Sequence, residues 1–233
     1  MNPIEIVRSL EGLIFEVATW FILVPKTVAK IVTSPAWISN YVTEEFLKPR
    51  EERFNEFASP IVVWILLAVF PYLWGTKLLN LSLTGEVKEQ VLITALFLAA
   101  GPIGFATGLV AAKKDIVSKS TLERSFYVQC YCFTPVYLFL LPAALLIAGN
   151  WTETMEPLAG MRDHPFIFWI SAGLGTLFLF ISEIIAIRHH LKATLIRSAI
   201  IFFPILFASY MVWWVIVFLL AVGMLTLQEL GNL

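Results

Sequence analysis

The feature that most constrains this chain is a series of five apolar stretches, each long enough to cross a lipid bilayer. They lie at about residues 60–81, 90–112, 125–148, 165–187 and 198–226. A span of about 20 apolar residues has to be an α-helix, because hydrocarbon offers no partner for an unpaired backbone group. Short polar segments connect the stretches and leave no room for a separate soluble domain. The sequence therefore predicts an all-α, polytopic membrane protein with a bundle of five transmembrane helices.

The composition agrees with a membrane location and argues against some other classes of protein. Of the 233 residues, 59% are hydrophobic and 14% are charged, whereas a soluble domain carries about a quarter charged residues. The net charge of −1 argues against nucleic acid as a partner. We expect the partners to be the lipid bilayer and either other membrane subunits or further copies of the same chain.

The basic residues are distributed unevenly between the two sides of the predicted bundle. Thirteen of the 16 lysines and arginines fall before the first span, between the second and third spans, or between the fourth and fifth. The other three, Lys77, Lys88 and Arg162, lie on the opposite side. Since basic residues accumulate in cytoplasmic segments, the N-terminus is predicted inside the cell and the C-terminus outside. The predicted location is the inner (plasma) membrane, with a eukaryotic endomembrane as the alternative.

Residues 1–58 form an N-terminal region ahead of the membrane domain, which is predicted at residues 59–233. In the first twenty residues most polar side chains occupy one narrow sector of a helical wheel: Glu5, Arg8, Ser9, Gly12, Glu16 and Thr19. This pattern predicts an amphipathic helix in the plane of the membrane interface. Pro25, Pro35 and Pro49 are expected to cut the region into short helices, none of which spans the bilayer. Such helices would sense or bend the membrane, or form a belt against the bundle or against another subunit.

Four basic residues are predicted to contact lipid headgroups. Lys26 and Lys30 lie one helical turn apart in the N-terminal region, and Arg188 and Lys192 lie in the basic segment between the fourth and fifth spans. Near a membrane surface such side chains are attracted to anionic lipids.

Prolines interrupt three of the predicted spans near the midplane of the bilayer. These are Pro71, Pro102 and Pro135 in the first, second and third spans, and each removes a backbone N–H and so frees a carbonyl. Transporters use freed carbonyls to hold ions or substrates. Neighbouring helices also satisfy such carbonyls and leave only a kink, so the two interpretations stand side by side.

Three polar side chains complete a candidate site for transport. Gln129 and Thr134 lie in the third span, and Glu183 is the only acidic residue well inside a predicted span. A carboxylate in hydrocarbon indicates a proton or ion site by default. Its position near the cytoplasmic end allows a second interpretation, in which Glu183 forms an ion pair with Arg188 or Arg124. The candidate transport residues are Gln129, Thr134, Glu183, Pro102 and Pro135.

Small residues in two of the spans predict close contacts between helices. Gly101, Gly104 and Gly108 lie in the second span, and Gly173 and Gly175 lie in the fourth. Glycines at such spacing allow two helix backbones to approach each other closely.

No catalytic, cofactor-binding or metal-binding motif accompanies these features. The three histidines do not face one another at a common depth, as a haem or metal site within the bundle requires. The sequence has no Gly-rich phosphate loop and no nucleophile elbow. We therefore expect a protein that is not an enzyme and that carries no cofactor.

The third predicted span contains the stretch "ERSFYVQCYCFTPVYLFLLPAALLIAG", whose distinctive positions are Ser125, Phe126, Gln129, Tyr131, Thr134, Pro135, Leu141 and Pro142. Through these positions the span resembles the Yip (Ypt-interacting protein) domain family, in particular its bacterial five-span members. The segments "SPIVVWILLAVF" and "RHHLKATLIRSAIIFFPI" are also similar to that family. The resemblance covers about residues 59–226 and implies the same five-span topology.

This resemblance implies a role in membrane organisation rather than in a chemical reaction. Eukaryotic members of the family act in vesicle traffic with small GTPases and can shape membranes, whereas most bacterial members have no assigned activity. The chain differs from the family in having Tyr131-Cys132-Phe133 where smaller residues are expected, and in its short hydrophobic N-terminal region. GTPase binding is therefore not carried over.

These features favour a non-enzymatic integral membrane protein that acts as a scaffold, a membrane-organising protein or a subunit of a larger membrane complex. The alternative is a permease or transporter component that moves a small or lipidic substrate. A water-filled cavity that reaches Gln129, Pro102 and Pro135 would favour transport, and a dry, fully packed bundle would favour the scaffold or subunit.

Overall fold

Seven helices carry the fold in the computed structural model, which describes residues 3–73, 87–113, 118–154 and 165–230. They are α1 (Pro3–Thr33), α2 (Pro35–Leu47), α3 (Pro60–Leu73), α4 (Val87–Lys113), α5 (Lys119–Thr154), α6 (Pro165–Leu191) and α7 (Leu195–Leu230). A short 3₁₀ turn at Arg50–Glu52 follows α2. Within the described ranges no strand is present, which confirms the predicted all-α class.

In the part of the chain that the structure describes, three helices are long and apolar enough to cross a membrane. The qualifying segments are Thr94–Lys113, Trp169–Leu191 and Leu195–Val212, with mean hydropathies of 1.8, 2.0 and 1.9. They coincide with the predicted second, fourth and fifth spans, so the protein is membrane-embedded. Pro60–Leu73 is apolar but shorter, and the rest of the predicted first span, residues 74–81, lies outside the described residues. The predicted third span lies in α5, whose side chains are described as far as Leu141. The count of five spans and the orientation therefore stay predictions.

Two of the three predicted helix breaks in the N-terminal region are correct. Helix α2 begins at Pro35 after a break at Ser34, and it ends at Leu47, just before Pro49. The break predicted at Pro25 is wrong, because α1 continues through this residue to Thr33. The proline ring lies on an exposed part of the helix, and the buried side chains of Val24 and Ile31 on either side hold α1 against the core. This tertiary packing offsets the lost backbone hydrogen bond.

The second half of the N-terminal region packs directly on the bundle. Helix α2 contacts both α5 and α6, and Trp37 stacks on Tyr41 with 4.4 Å between ring centroids. Both backbone polar groups of Ala58 form hydrogen bonds to side chains of other helices. Its N–H donates to Thr27 Oγ1 of α1 at 2.9 Å, and its carbonyl accepts from the Tyr131 hydroxyl of α5 at 2.6 Å. These contacts favour the belt interpretation for residues 24–58.

The glycines of α4 allow its close contact with the neighbouring helices. A Cβ atom added at Gly104 would lie 2.6 Å from the Cα atom of Ser209 on α7. Added at Gly101 or Gly108, it would lie 2.8 Å from the side chain of Phe133 or Ile205. The Ser209 hydroxyl also donates to the Gly101 carbonyl at 3.2 Å. The prediction of close packing is confirmed for these three glycines.

The two glycines of α6 differ from each other. A Cβ atom added at Gly175 would lie 3.2 Å from Leu140 Cγ, which is a tight contact with α5. No atom lies within 4 Å of a Cβ atom added at Gly173. Gly173 therefore makes no close contact with the described residues, because it lies on the open face of α6, and a contact of this glycine with another helix stays a prediction.

Substitution of Gly104 by alanine should destabilise the fold, since the new methyl group collides with the backbone of α7. We expect a loss of about 1–3 kcal/mol, as in other overpacked sites, measured as a lower thermal-unfolding midpoint in detergent. Gly173→Ala is the matched control and should leave the midpoint unchanged or slightly raised, because alanine is the better helix former. Equal midpoints for the two variants would contradict the close contact between α4 and α7.

Candidate functional site

The centre of the candidate site is a buried pair formed by Gln129 on α5 and Glu183 on α6. Gln129 Nε2 donates to Glu183 Oε2 at 3.2 Å, and both residues have 0% exposure. The two residues are 54 positions apart in sequence and meet because α5 and α6 form one of the most extensive helix contacts in the bundle. The structure thus brings together two of the five predicted transport residues.

Each member of this pair keeps one oxygen without a hydrogen-bond partner. Gln129 Oε1 and Glu183 Oε1 are both buried and unpaired. Both atoms are acceptors when Glu183 is ionised, whereas a protonated carboxyl group supplies a donor of its own. The neighbouring polar groups are the Ser182 hydroxyl and the Cys132 thiol. The arrangement is chemically suited to take up a proton.

The ion pair predicted for Glu183 is not formed by the described residues. Arg188 is exposed at the end of α6, and Arg124 lies at the start of α5 beside a different cavity. The partner of Glu183 is the uncharged amide of Gln129. The interpretation as an ion pair with Arg188 or Arg124 is therefore wrong, because neither guanidinium reaches the depth at which Glu183 is buried.

Thr134 and Pro135 are buried in α5 but do not join this pair. The Thr134 hydroxyl donates to the Cys130 carbonyl at 2.6 Å, one turn earlier in the same helix. The carbonyl that Pro135 deprives of its donor is that of Tyr131, four residues before the proline. The Thr134 hydroxyl therefore donates its hydrogen bond to the Cys130 carbonyl and not to the Tyr131 carbonyl freed by Pro135.

The carbonyl freed by Pro102 has a donor from the neighbouring helix. Pro102 lacks the N–H that would bond Leu98, and the Tyr137 hydroxyl of α5 donates to the Leu98 carbonyl at 2.5 Å. This contact favours the kink interpretation at Pro102, since the freed oxygen is occupied by protein. In α3, a π-helical turn at Ile65–Val69 precedes Pro71, which is a common local adjustment to a helix interruption.

The four basic residues predicted at lipid headgroups lie at the ends of helices or at the surface. Lys26 is exposed but also contacts protein, because its Nζ atom donates to the Glu56 carbonyl at 3.1 Å and lies 4.3 Å from the centre of the Phe57 ring. Lys30 is half-buried in the last turn of α1. Arg188 and Lys192 are exposed at and just beyond the end of α6, where contact with headgroups is sterically open.

The sequence analysis missed one buried carboxylate, that of Glu45 on α2. This residue is 1% exposed, and its oxygens accept from Lys48 Nζ at 2.6 Å and from the Phe54 N–H at 2.5 Å. Phe54 has a φ of 60°, which is uncommon for an aromatic residue, and the bond from Glu45 holds its backbone in place. A signal for this burial was present, since Glu45 continues the helical stripe of Ile38 and Tyr41 at a spacing of three to four residues.

The charge of Glu45 affects the groups around it. Its hydrogen bond raises the pKa of Lys48. Burial, followed by the proximity of the Glu45 carboxylate, raises the pKa of Tyr41. Glu45 therefore lies beside the aromatic contacts of the belt, where its hydrogen bonds to Lys48 and Phe54 favour a structural role.

Comparison with known proteins found no relative of this chain. No protein-family model matches the sequence, and neither a curated protein nor a solved structure is similar to it. The fold and its apolar helices define the class of an all-helical, membrane-embedded protein. The resemblance to the Yip domain family stays a prediction that rests on the residues from Ser125 to Pro142 and on the two other similar segments.

Replacement of Glu45 by alanine should destabilise the belt, because it leaves the partly buried Phe54 N–H without its acceptor. Hydrogen bonds to charged groups contribute about 1.5–3 kcal/mol, so we expect a clear fall in the thermal-unfolding midpoint. Glu44→Ala removes the same charge from an exposed neighbouring position and serves as the control. Similar midpoints for the two variants would show that the carboxylate does not hold the belt.

Proposed function

We propose that the chain is a non-enzymatic integral membrane protein that acts as a scaffold, a membrane-organising protein or a subunit of a larger membrane complex. The observation that carries the proposal is the contrast between a sealed interior and broad exposed apolar faces. Gln129, Thr134 and Glu183 are all fully buried. The exposed faces of α6 and α7 carry large apolar side chains, including Phe166, Trp169, Leu177, Ile200, Phe207 and Trp214.

Two cavities among the described residues lie away from the candidate transport residues, which favours this proposal. One is lined by residues at the ends of α4, α5 and α6, and the other by residues of α4 and α5 near the same end. Neither is lined by Gln129, Pro102 or Pro135. A transport path would need water to reach these residues near the middle of the bundle.

The exposed face of α6 is well suited to contact another membrane helix. It contains Gly173, which has open space in front of it, between the exposed side chains of Ile170 and Leu177. A glycine between larger apolar residues lets a partner helix approach closely. The partner is a different subunit or a second copy of this chain, in the inner (plasma) membrane or in a eukaryotic endomembrane.

This proposal predicts a complex of fixed stoichiometry that depends on the α6 face. We expect the wild-type chain to purify from its native membrane in mild detergent with a partner or as an oligomer, measured by native mass spectrometry. Gly173→Leu should dissociate this complex because the new side chain fills the contact, whereas its thermal stability should be retained because no neighbouring atom is displaced. Gly173→Ala is the control, because it removes the glycine but adds only a methyl group to the contact face. A wild-type chain that purifies as a monomer without a partner would contradict the proposal.

A second candidate function is a permease or transporter component, built around Gln129, Thr134, Glu183, Pro102 and Pro135. The specific observation in its favour is the pair of unpartnered oxygens on Gln129 and Glu183. Buried ionisable residues within membrane helices mark proton relays in many transporters. A second copy of the chain would then supply the other half of the transport unit.

Proton flux in proteoliposomes separates the two functions. Vesicles containing the purified protein and an internal pH-sensitive dye would be energised with an imposed membrane potential. The transporter function predicts flux above that of empty vesicles, abolished by Glu183→Gln and retained by Glu44→Gln at an exposed position. The scaffold or subunit function predicts no flux above the background for any of the three proteins.

A further inference from the structure

A polar cavity of about 80 Å³ lies between the ends of α4, α5 and α6. Its lining consists of Leu109, Val110, Lys113, Ser120, Thr121, Arg124, Ser125 and His190. The volume is enough for several water molecules or for one tetrahedral oxyanion. None of these residues belongs to the buried pair of Gln129 and Glu183.

The lining has the composition of an anion site. Each of the three helices contributes one basic side chain, namely Lys113 from α4, Arg124 from α5 and His190 from α6. Three hydroxyl groups, those of Ser120, Thr121 and Ser125, belong to the polar lining, and no carboxylate is among the described residues that line the cavity. Guanidinium, ammonium and hydroxyl donors together are typical of phosphate recognition.

The N-terminus of α5 adds a favourable electrostatic contribution. Ser118 and Thr121 cap this helix reciprocally, since the Thr121 N–H donates to Ser118 Oγ at 3.2 Å and the Ser118 N–H donates to Thr121 Oγ1 at 3.0 Å. The first turn of α5 therefore has a fixed geometry, and its positive dipole end lies beside Ser120 and Thr121 of the cavity. A helix N-terminus with nearby cations stabilises a bound anion.

The depth of the cavity relative to the apolar helices places it at the level of lipid headgroups. Lys113 is the last residue of the apolar segment Thr94–Lys113, and His190 lies one residue before the end of Trp169–Leu191. Both segments therefore end at the cavity. Basic pockets between membrane helices at this level are suited to anionic headgroups.

We propose that this cavity binds a phosphate group through Lys113, Arg124 and His190, with Ser120 and Ser125 as hydroxyl donors. The headgroup depth favours the phosphomonoester of an anionic phospholipid as the source, and free inorganic phosphate is the other source with the same chemistry. Arg124 is the central residue, because a guanidinium group binds two phosphate oxygens at once.

Titration of the purified full-length chain in mild detergent tests this site. The probes are dioctanoyl phosphatidic acid, inorganic phosphate and, as the zwitterionic comparison, dioctanoyl phosphatidylcholine. We expect saturable binding of phosphatidic acid and much weaker binding of phosphatidylcholine. Binding is measured as a change in intrinsic fluorescence or in the thermal-unfolding midpoint. Loss of one charge-assisted contact should raise the Kd about tenfold or more in Arg124→Gln and in Lys113→Gln.

Lys119→Gln is the matched control on the same helix. This substitution removes an equal charge. Lys119 lines a different, apolar cavity of about 370 Å³ together with Ile103 and Phe126, so its substitution should leave the Kd for phosphatidic acid unchanged. Lys113 is exposed at the end of α4, and its variant keeps the test usable if Arg124→Gln does not fold.

The outcomes distinguish a lipid headgroup from free phosphate as the ligand, and they also show whether the proposal fails. Binding of phosphatidic acid alone identifies a lipid headgroup site, and competition by inorganic phosphate at the same residues shows that the free anion is also accepted. No saturable binding of either probe would overturn the proposal. So would an equal loss of affinity in Lys119→Gln and Lys113→Gln, since this would indicate only a general effect of surface charge.

Discussion

The structure depends on the requirement that polar groups buried among apolar helices be paired within the protein, and α5 meets much of this requirement. Four of its side chains donate hydrogen bonds in four directions. Gln129 donates to Glu183 on α6, Tyr131 to the Ala58 carbonyl of the belt, Thr134 to its own helix, and Tyr137 to the Leu98 carbonyl of α4. In hydrocarbon an unpaired group costs several kcal/mol. The three bonds that leave α5, from Gln129, Tyr131 and Tyr137, therefore fix the position of this helix relative to its neighbours.

This network gives a physical meaning to the stretch from Ser125 to Pro142. Its polar residues stand out in a sequence of apolar helices, and a run of polar residues and prolines in a membrane helix by default indicates a functional site. In the structure most of these groups are used to hold helices together, and the carbonyl freed by Pro102 is occupied by Tyr137. The exception is the pair of Gln129 and Glu183, in which two oxygens stay without partners. Within this stretch, the described group that stays open to chemistry is thus Gln129, through its buried pair with Glu183.

Properties that depend on local sequence were predicted well. The apolar helices follow from length and hydropathy, the breaks at Pro35 and Pro49 follow from proline geometry, and the close contact at Gly104 follows from residue size. Properties that depend on which face of a helix meets its neighbour were not accessible in this way. Gly173 has the same size as Gly104 but faces outward, and the pairing of Gln129 with Glu183 requires the relative rotation of α5 and α6.

Other errors have the same physical origin. Pro25 does not end α1, because side chains on both sides of it are anchored in the core, and a local helix breaker is overridden by tertiary packing. Glu45 was overlooked because a carboxylate on a buried stripe is unusual, although its spacing on α2 indicated burial. The basic cavity depends on residues from three separate helices, so no single sequence segment indicates it.

The central claim is that the interior around α5 is closed to water, and the two native cysteines report on it directly. Cys130 and Cys132 are free and buried, next to Gln129 and close to Glu183. The rate of their alkylation by N-ethylmaleimide can be followed by mass spectrometry in the folded protein and after denaturation. A closed bundle predicts no alkylation of either thiol until the protein unfolds. Rapid alkylation of Cys130 or Cys132 in the folded protein would show a water-filled path to the polar pair and would contradict this account.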